Sequence, residues 1–110
     1  MEVDYSKKAK KKMCPDWKCL RSFGNIVGKK IIQRVKEFKA ANCLEDLRNA
    51  PGRHEELKGD KKNQLSCHLS ANWRLIYQPI ESYNFLENGG LNWKTVNKVE
   101  IIEAIDYHKK

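Results

Sequence analysis

Between positions 53 and 108, the sequence contains histidines, carboxylates and cations of the kind that move protons and hold phosphate charge. Histidine, carboxylate and tyrosine side chains can act as acids or bases near neutral pH. The candidate acids and bases are His54, Glu55, Glu56, His68, Asp106, Tyr107 and His108. The candidate phosphate-binding cations are Arg53, Lys58, Lys61, Lys62 and Arg74. Such a set fits metal-free cleavage of RNA, in which a ribose 2′-hydroxyl attacks the neighbouring phosphate.

His108 is the most favourable of these candidates. It stands beside Lys109 and Lys110, whose like charges favour neutral imidazole near neutral pH. Neutral imidazole can act as a base and imidazolium as an acid, although a histidine this close to a chain end can also have no role. His68 alternates with apolar residues, and whether it shares a sheet face with Arg74 depends on the length of the intervening loop.

Other kinds of chemistry find no support in the sequence. It contains no Walker loop, GxSxG elbow, HExxH motif or dinucleotide fingerprint. Its four cysteines, at positions 14, 19, 43 and 67, form no CxxC pair, so we expect reduced, inert thiols and neither a metal nor another cofactor. No apolar run is long enough to span a bilayer. We therefore expect a cytoplasmic protein with no membrane partner.

The positive charge is unevenly distributed along the chain. The formal net charge is +8, and residues 1–62 account for all of it, with 17 Lys or Arg against 9 Asp or Glu. Residues 63–110 carry five of each sign. A basic surface attracts polyanions through counterion release. This favours nucleic acid or an acidic protein as the partner, over a merely soluble lysine-rich surface.

The hydrophobic pattern predicts a single α+β domain over residues 1–110. Its fold class is a small antiparallel sheet with N-terminal helices packed on one face. Ser6 is a predicted helix N-cap. Val27, Ile31, Val35 and Phe38 form one helical stripe, with Lys29, Lys30, Arg34, Lys36 and Lys39 on the remaining faces. We expect strands at 2–5, 65–70, 73–78 and 99–105, a helix after Ser6, and further helices at 25–41 and 44–48. A loop at 80–97 is expected to be anchored by Trp93.

Several blocks of the sequence resemble the HigB "killer" toxins of the RelE/ParE superfamily. They are PGR at 51–53, KGDKK at 58–62, SANWRLIY at 70–77, NGGLNW at 88–93, VEII at 99–102 and DYH at 106–108. The resemblance covers nearly the whole chain and is strongest over residues 51–108. It implies a RelE-like fold and a toxin that cuts mRNA in the ribosomal A site.

The resemblance also implies roles for individual residues. Arg74 would contact the scissile phosphate. Asp106, Tyr107 and His108 would form a C-terminal catalytic group with His108 as the acid–base residue. The cations that would bind mRNA or ribosomal RNA are Lys58, Lys61, Lys62, Arg53 and, in the lysine run at 7–12, Lys10 and Lys11. For that run, a solvated helix face is the alternative.

The sequence departs from the family pattern at one catalytic position. Related toxins often carry a histidine three positions before the lysine of KGD, where this chain has Glu55 and places His54 one residue earlier. Glu55 could serve as a base, or a small backbone shift could bring His54 into its place. The sequence leaves both residues as candidates for the second catalytic group.

Partners and alternatives follow from the same resemblance. It implies a cognate helix-turn-helix antitoxin of the HigA type, with operator DNA bound only through that antitoxin. The surface of helix 25–41 is a candidate landing site for an acidic partner. One alternative function is gyrase poisoning, as in the ParE branch, since a fold does not fix a function. Another is a non-enzymatic basic module that binds nucleic acid.

Overall fold

A five-stranded sheet forms the centre of the computed structural model, which describes residues 1–61 and 63–107. Lys62 and His108 lie outside the described residues. The strands are β1 (Glu2–Tyr5), β2 (Glu55–Glu56), β3 (Leu65–His68), β4 (Trp73–Pro79) and β5 (Lys98–Asp106). Their order is β1-β5-β4-β3-β2, with β1 parallel to β5 and the other pairs antiparallel. The predicted α+β class is confirmed, and β2 is the strand that the sequence pattern did not predict.

Two helices pack on one face of this sheet. Helix α1 spans Lys7–Met13 and helix α2 spans Asp16–Ala40. The helix predicted from Asn25 corresponds to the segment of α2 that follows Gly24, and the segment before Gly24, which begins at Asp16, was not predicted. Gly24 has φ +82° and ψ 172°, a conformation that glycine adopts without the steric cost of a Cβ atom. The apolar stripe from Val27 onward therefore marks the second segment of α2.

The core lies between that second segment and the helix-facing side of the sheet. Val27, Ile31, Val35 and Phe38 are all buried, as the stripe predicts. The Phe38 ring meets the buried Tyr77 ring edge-on at a centroid distance of 4.7 Å, a favoured aromatic geometry. Short 3₁₀ helices occupy Leu44–Leu47, Gly59–Lys61 and Trp93–Thr95. Across the part of the chain that the structure describes, no helix combines the length and apolarity needed to cross a membrane.

The long connection between β4 and β5 is held to the body of the protein by Glu56. One carboxylate oxygen of Glu56 accepts the Leu91 N–H at 3.0 Å, and the other accepts the indole N–H of Trp93 at 3.1 Å. Trp93 itself is buried, as predicted for the anchor of this loop. Glu56, one of the sequence candidates for acid–base chemistry, is thereby engaged in structure.

His54 lies in the core. Its Nδ1 is 2.7 Å from the Tyr77 hydroxyl oxygen, and only 8% of the residue is exposed. Among the described residues, its Nε2 has no hydrogen-bond partner. Burial, reinforced by the positive charge of Arg34, lowers the pKa of His54 from 6.5 to about 4. The folded protein therefore holds this imidazole neutral at physiological pH.

Ser6 links α1 to the sheet, and its replacement should show this. Its hydroxyl oxygen accepts the Ala9 N–H at 3.0 Å and its O–H donates to the Ile102 carbonyl at 2.8 Å. We expect Ser6→Ala to lower the free energy of unfolding by about 1–2 kcal/mol in urea titrations, since both the cap and a sheet contact are lost. Ser22→Ala, at an exposed position in α2, is the control. Equal stability of the two variants would contradict this role.

Acid should destabilise the protein through His54. Because the pKa of His54 is about 4 when folded and 6.5 in its unperturbed form, the unfolded state binds the proton more readily between these values. The contribution of His54 to stability is complete above about pH 6.5 and is lost as the pH falls towards 4. We expect His54→Gln to show a smaller loss of stability than the parent protein between pH 7 and pH 4. Parallel pH profiles for the two proteins would contradict this assignment.

Candidate active site on the outer face of the sheet

The sheet face opposite the helices carries the polar candidates. Cys67 and Leu75 are buried in the core beneath the helices, and side chains alternate along a strand. Their neighbours His68 and Arg74 therefore project from the other side, here called the outer face. The residues that share it by register are Ser66 and His68 of β3, Arg74 and Ile76 of β4, and Glu103 and Ile105 of β5.

His68 and Arg74 lie directly opposite each other. They are partners in the antiparallel register of β3 and β4. The next pair is hydrogen-bonded, with the Leu69 N–H donating to the Trp73 carbonyl at 3.0 Å. Because hydrogen-bonded and non-hydrogen-bonded pairs alternate, His68 and Arg74 form a non-hydrogen-bonded pair, whose side chains lie closest. The structure thus answers the question that the sequence left open about this face.

Arg74 is anchored at the tip of the β3–β4 hairpin. Its Nη1 donates to the carbonyl oxygens of Ser70 at 3.0 Å, Ala71 at 3.2 Å and Trp73 at 3.0 Å. The centre of its guanidinium lies 5.4 Å from the centroid of the Tyr107 ring, within the range of a cation–π contact. These contacts give the guanidinium a fixed orientation at the end of the outer face.

Asp106 and Tyr107, two of the C-terminal candidates, lie at the same end of the sheet as Arg74. Asp106 ends β5 opposite Trp73, and the Tyr107 N–H donates to the Asn72 carbonyl at 2.9 Å. The sheet therefore brings Tyr107 beside Arg74, although they are more than thirty positions apart in sequence. Asp106 lies at the same end of the sheet, but in the register it shares a face with Trp73 and not with Arg74. His108, predicted to be the acid–base residue, follows directly in the chain but lies outside the described residues.

A buried arginine fixes the main chain around His68. Arg34 is 6% exposed, its Nε donates to the His68 carbonyl at 3.0 Å, and its Nη1 contacts both carboxylate oxygens of Glu37 at 3.0 and 3.2 Å. The His68 N–H in turn donates to the Gly52 carbonyl. A Cβ atom on Gly52 would lie 2.9 Å from Arg34 Nε. We call this arrangement of Arg34, Gly52 and the His68 main chain the Arg34 clamp.

Arg34 was predicted to lie among the solvent-facing charges of the helix, and this was wrong. It lies three residues after Ile31 and four before Phe38, so it borders the buried stripe of α2. That spacing is the signal that could have identified it. It lies over the sheet because a carboxylate and a main-chain carbonyl are available there to compensate its charge.

The two candidates for the second catalytic group occupy different environments. Glu55 is exposed on β2, opposite Ser66 in the register, at the edge of the outer face. His54 is buried and bonded to Tyr77 on the helix side. The structure therefore brings Glu55, and not His54, to the edge of the face that carries Arg74.

The predicted RNA-binding cations are spread over three places. Exposed Arg53 precedes β2, and Lys61 lies 3.9 Å from Glu103 of the outer face. Lys58 instead lines a groove of about 520 Å³ between the KGD turn and the loop that includes Tyr83 and Phe85. Lys10 and Lys11 are exposed on α1, which buries Ala9 and Met13. The described cations of this set therefore do not form one cluster, and Lys61 is the one among them with a contact to a residue of the outer face.

Electrostatics favour a neutral His68. Partial burial lowers its pKa below 6.5, as do the positive charges of Arg74 and Arg53, while Glu55 acts in the opposite direction. Arg53 and Glu55 therefore act on the imidazole electrostatically, in opposite directions. A neutral imidazole at physiological pH is able to accept a proton.

Two of the four cysteines, Cys19 and Cys67, are buried. All four are free. Burial raises the pKa of Cys19 to about 11 and that of Cys67 to about 12, so both stay protonated and unreactive. Within residues 1–61 and 63–107, no group of three or more His, Cys, Asp or Glu side chains is arranged to hold a metal ion.

Comparison with solved structures places this arrangement in a known fold. The YoeB/ParE toxin from Agrobacterium tumefaciens superposes with a TM-score of 0.59 at 18% identity, over 96% of this chain and 98% of that one. The YoeB-YefM complex from Staphylococcus aureus gives 0.58 at 18% identity, covering 98% and 97%. YafQ from E. coli strain BL21(DE3) gives 0.56 at 12% identity, covering 98% and 94%.

These similarities confirm the RelE-like fold that the sequence resemblance predicts. They extend over almost the full length of the chains compared. No protein-family model matches the sequence. No curated protein sequence matches it either. The relationship is therefore one of fold, in a RelE/ParE-type arrangement of helices and strands.

The Arg34 clamp makes a prediction about Gly52. Its φ is +113° and an added Cβ would meet Arg34, so we expect Gly52→Ala to cost about 1–3 kcal/mol of stability and to shift the NMR signals of the His68 ring. Gly59→Ala is the matched control, since Gly59 also has a positive φ, of +68°, but nothing within 4 Å of its Cβ position. An equal cost for both variants, with the His68 signals unmoved, would argue against the clamp.

Proposed function

We propose that this chain is the toxin of a type II toxin–antitoxin system and cuts mRNA on the ribosome without a metal ion. The observation that carries the proposal is the position of Arg74 on the outer face, opposite His68 and beside Tyr107. It supports the proposal because a fixed guanidinium among proton-transfer groups suits phosphoryl transfer. The HigB type, implied by the sequence blocks, is part of the proposal.

The proposed reaction is transesterification at the ribose. Arg74 holds the scissile phosphate and stabilises the charge that develops on its oxygens. His108, with Asp106 and Tyr107, forms the C-terminal catalytic group and protonates the leaving 5′ oxygen. Of the two sequence candidates for the second catalytic group, Glu55 is exposed at the edge of this face and His54 is buried on the other side of the sheet.

In this proposal the ribosome orients the mRNA substrate for the small active site. Correct orientation of a substrate can account for several kcal/mol of barrier reduction, and mRNA in a decoding site is already held in place. The exposed cations Arg53, Lys58, Lys10 and Lys11, together with Lys61 and Lys62, bind the mRNA or ribosomal RNA backbone. The protein then acts in the cytoplasm, where ribosomes translate.

A cognate antitoxin is the second proposed partner. In the Staphylococcus aureus complex, YoeB is paired with YefM, and by analogy this chain would bind a HigA-like helix-turn-helix antitoxin that itself contacts operator DNA. Lys29, Lys36 and Lys39 are exposed on α2. They offer an acidic partner a basic surface away from the outer face.

Primer extension on cellular mRNA shortly after induction tests the proposed activity. We expect new cleavage sites confined to translated regions for the parent protein, and their loss in Arg74→Ala and in His108→Ala. Arg21→Ala is the matched control, since Arg21 is exposed on α2, and it should cleave like the parent. Growth arrest with intact mRNA and double-strand breaks in DNA would instead indicate gyrase poisoning, and arrest with neither would indicate a binding module.

Charge reversal tests the antitoxin surface. We expect replacement of Lys29, Lys36 and Lys39 by Glu to weaken co-purification with the cognate antitoxin at least tenfold, because an acidic partner would meet like charge. Replacement of Lys7, Lys10 and Lys11 by Glu changes the net charge equally and should leave the complex intact. Full binding by the α2 variant would refute this location.

A further inference from the structure

His68 stands out among the groups of the outer face to which the proposed reaction gives no role. It is a partly exposed imidazole in the register position opposite Arg74. It is among the possible acids and bases of the sequence, but the family resemblance assigns it no function. The task that remains open on this face is the removal of the proton from the attacking 2′-hydroxyl.

Its position relative to the phosphate is suited to this task. His68 and Arg74 form a non-hydrogen-bonded pair, in which Cα atoms are about 4.5 Å apart and side chains run side by side. A phosphate bound by the Arg74 guanidinium would therefore have the His68 imidazole next to it. The 2′-hydroxyl that attacks this phosphate belongs to the adjacent ribose, a few ångströms away.

The alternatives on this face are less well placed. Glu55 lies on β2, beyond β3 as seen from Arg74, and its register partner is Ser66 rather than His68. His54 is buried and bonded to the Tyr77 hydroxyl. Glu55 is near enough to His68 to oppose the lowering of its pKa, so its carboxylate can stabilise the imidazolium that forms when His68 takes a proton.

The main chain of His68 is also fixed by hydrogen bonds on both its carbonyl oxygen and its N–H. The Arg34 clamp binds its carbonyl oxygen, and the Gly52 carbonyl accepts its N–H. A buried arginine used to fix the main chain of one strand-end residue preorganises the side chain that this residue carries. Preorganisation of this kind is what a proton-transfer group requires.

We infer that His68 is a catalytic residue of the proposed ribonuclease, the base that accepts the proton of the ribose 2′-hydroxyl. The inference rests on the proposed function and specifies its second catalytic group. The 2′ oxygen forms its bond to phosphorus as its proton passes to the imidazole. The bond from phosphorus to the 5′ oxygen breaks, and that oxygen receives a proton from the C-terminal group. The products are a 2′,3′-cyclic phosphate and a 5′-hydroxyl. The His68 imidazolium then gives its proton to water, and the C-terminal group regains a proton from water.

Single-turnover cleavage of mRNA on purified, programmed ribosomes tests this role. We expect His68→Gln to slow cleavage by roughly 100-fold or more, the usual contribution of a general base, with ribosome binding in a pelleting assay unchanged. The cleavage rate of the parent should fall as acid protonates His68, and this acidic limb should be absent from the variant. The charged groups around the imidazole are Arg74, Arg53, Glu55 and Arg34, and none of them is altered by the substitution.

A second variant separates catalysis from folding. His68→Ala should be inactive, and added imidazole should restore part of its cleavage, because free imidazole can replace the missing base. Ser22→Ala, at an exposed polar position on α2, should cleave like the parent with or without imidazole. Restoration by imidazole is an outcome that a merely structural role of His68 would not produce.

The outcomes also separate this inference from the proposed function. Parent-like rate and pH profile in His68→Gln, together with inactive Arg74→Ala, would overturn the role of His68 and leave the ribonuclease standing. A slow His68→Ala variant that imidazole does not restore, with an unchanged acidic limb in His68→Gln, would equally overturn it. Failure of the parent protein itself to cleave ribosome-bound mRNA would overturn the proposed function and this inference with it.

Discussion

The buried side chain of Arg34 makes the contacts on which the geometry of this molecule most depends. Burial of an unpaired guanidinium is costly, so its hydrogen bonds to Glu37 and to the His68 carbonyl are obligatory rather than incidental. They join helix α2 to the end of β3, and the guanidinium covers Gly52 at the start of the segment that leads to β2. One side chain thereby sets the relative positions of a helix, a strand end and a loop.

One face of the sheet packs against the helices, and the other carries the candidate active site. The helix-facing side carries the core, in which Phe38 and Tyr77 meet and His54 is kept neutral. The outer face carries Arg74 and His68 as nearest cross-strand neighbours, and β5 brings residues 106 and 107 to the same end. A one-residue shift of β3 against β4 would exchange these faces. The register therefore protects the core and assembles the candidate site at the same time.

Much of the fold could be predicted from local pattern, and the missed features depend on distant contacts. The stripe from Val27 to Phe38, the cap at Ser6 and the anchor at Trp93 all follow from periodicity or residue type, and the structure confirms them. The segment of α2 before Gly24 was missed because the apolar stripe begins only after that glycine, while the helix predicted from Asn25 matches the segment that follows it. The burial of Arg34 and the pairing of His68 with Arg74 depend on how α2 crosses the sheet and on hairpin length, which no local pattern specifies.

The end groups of the cleaved mRNA test the central claim most directly, since they record which oxygen attacked the phosphate. Attack by the ribose 2′-hydroxyl leaves a 5′-hydroxyl on the downstream fragment, so fragments made on ribosomes should ligate to an adapter only after treatment with a polynucleotide kinase. That result is the one expected for a site built from Arg74 and proton-transfer side chains. Downstream fragments that ligate without the kinase would carry a 5′-phosphate, show that water was the nucleophile, and contradict the account.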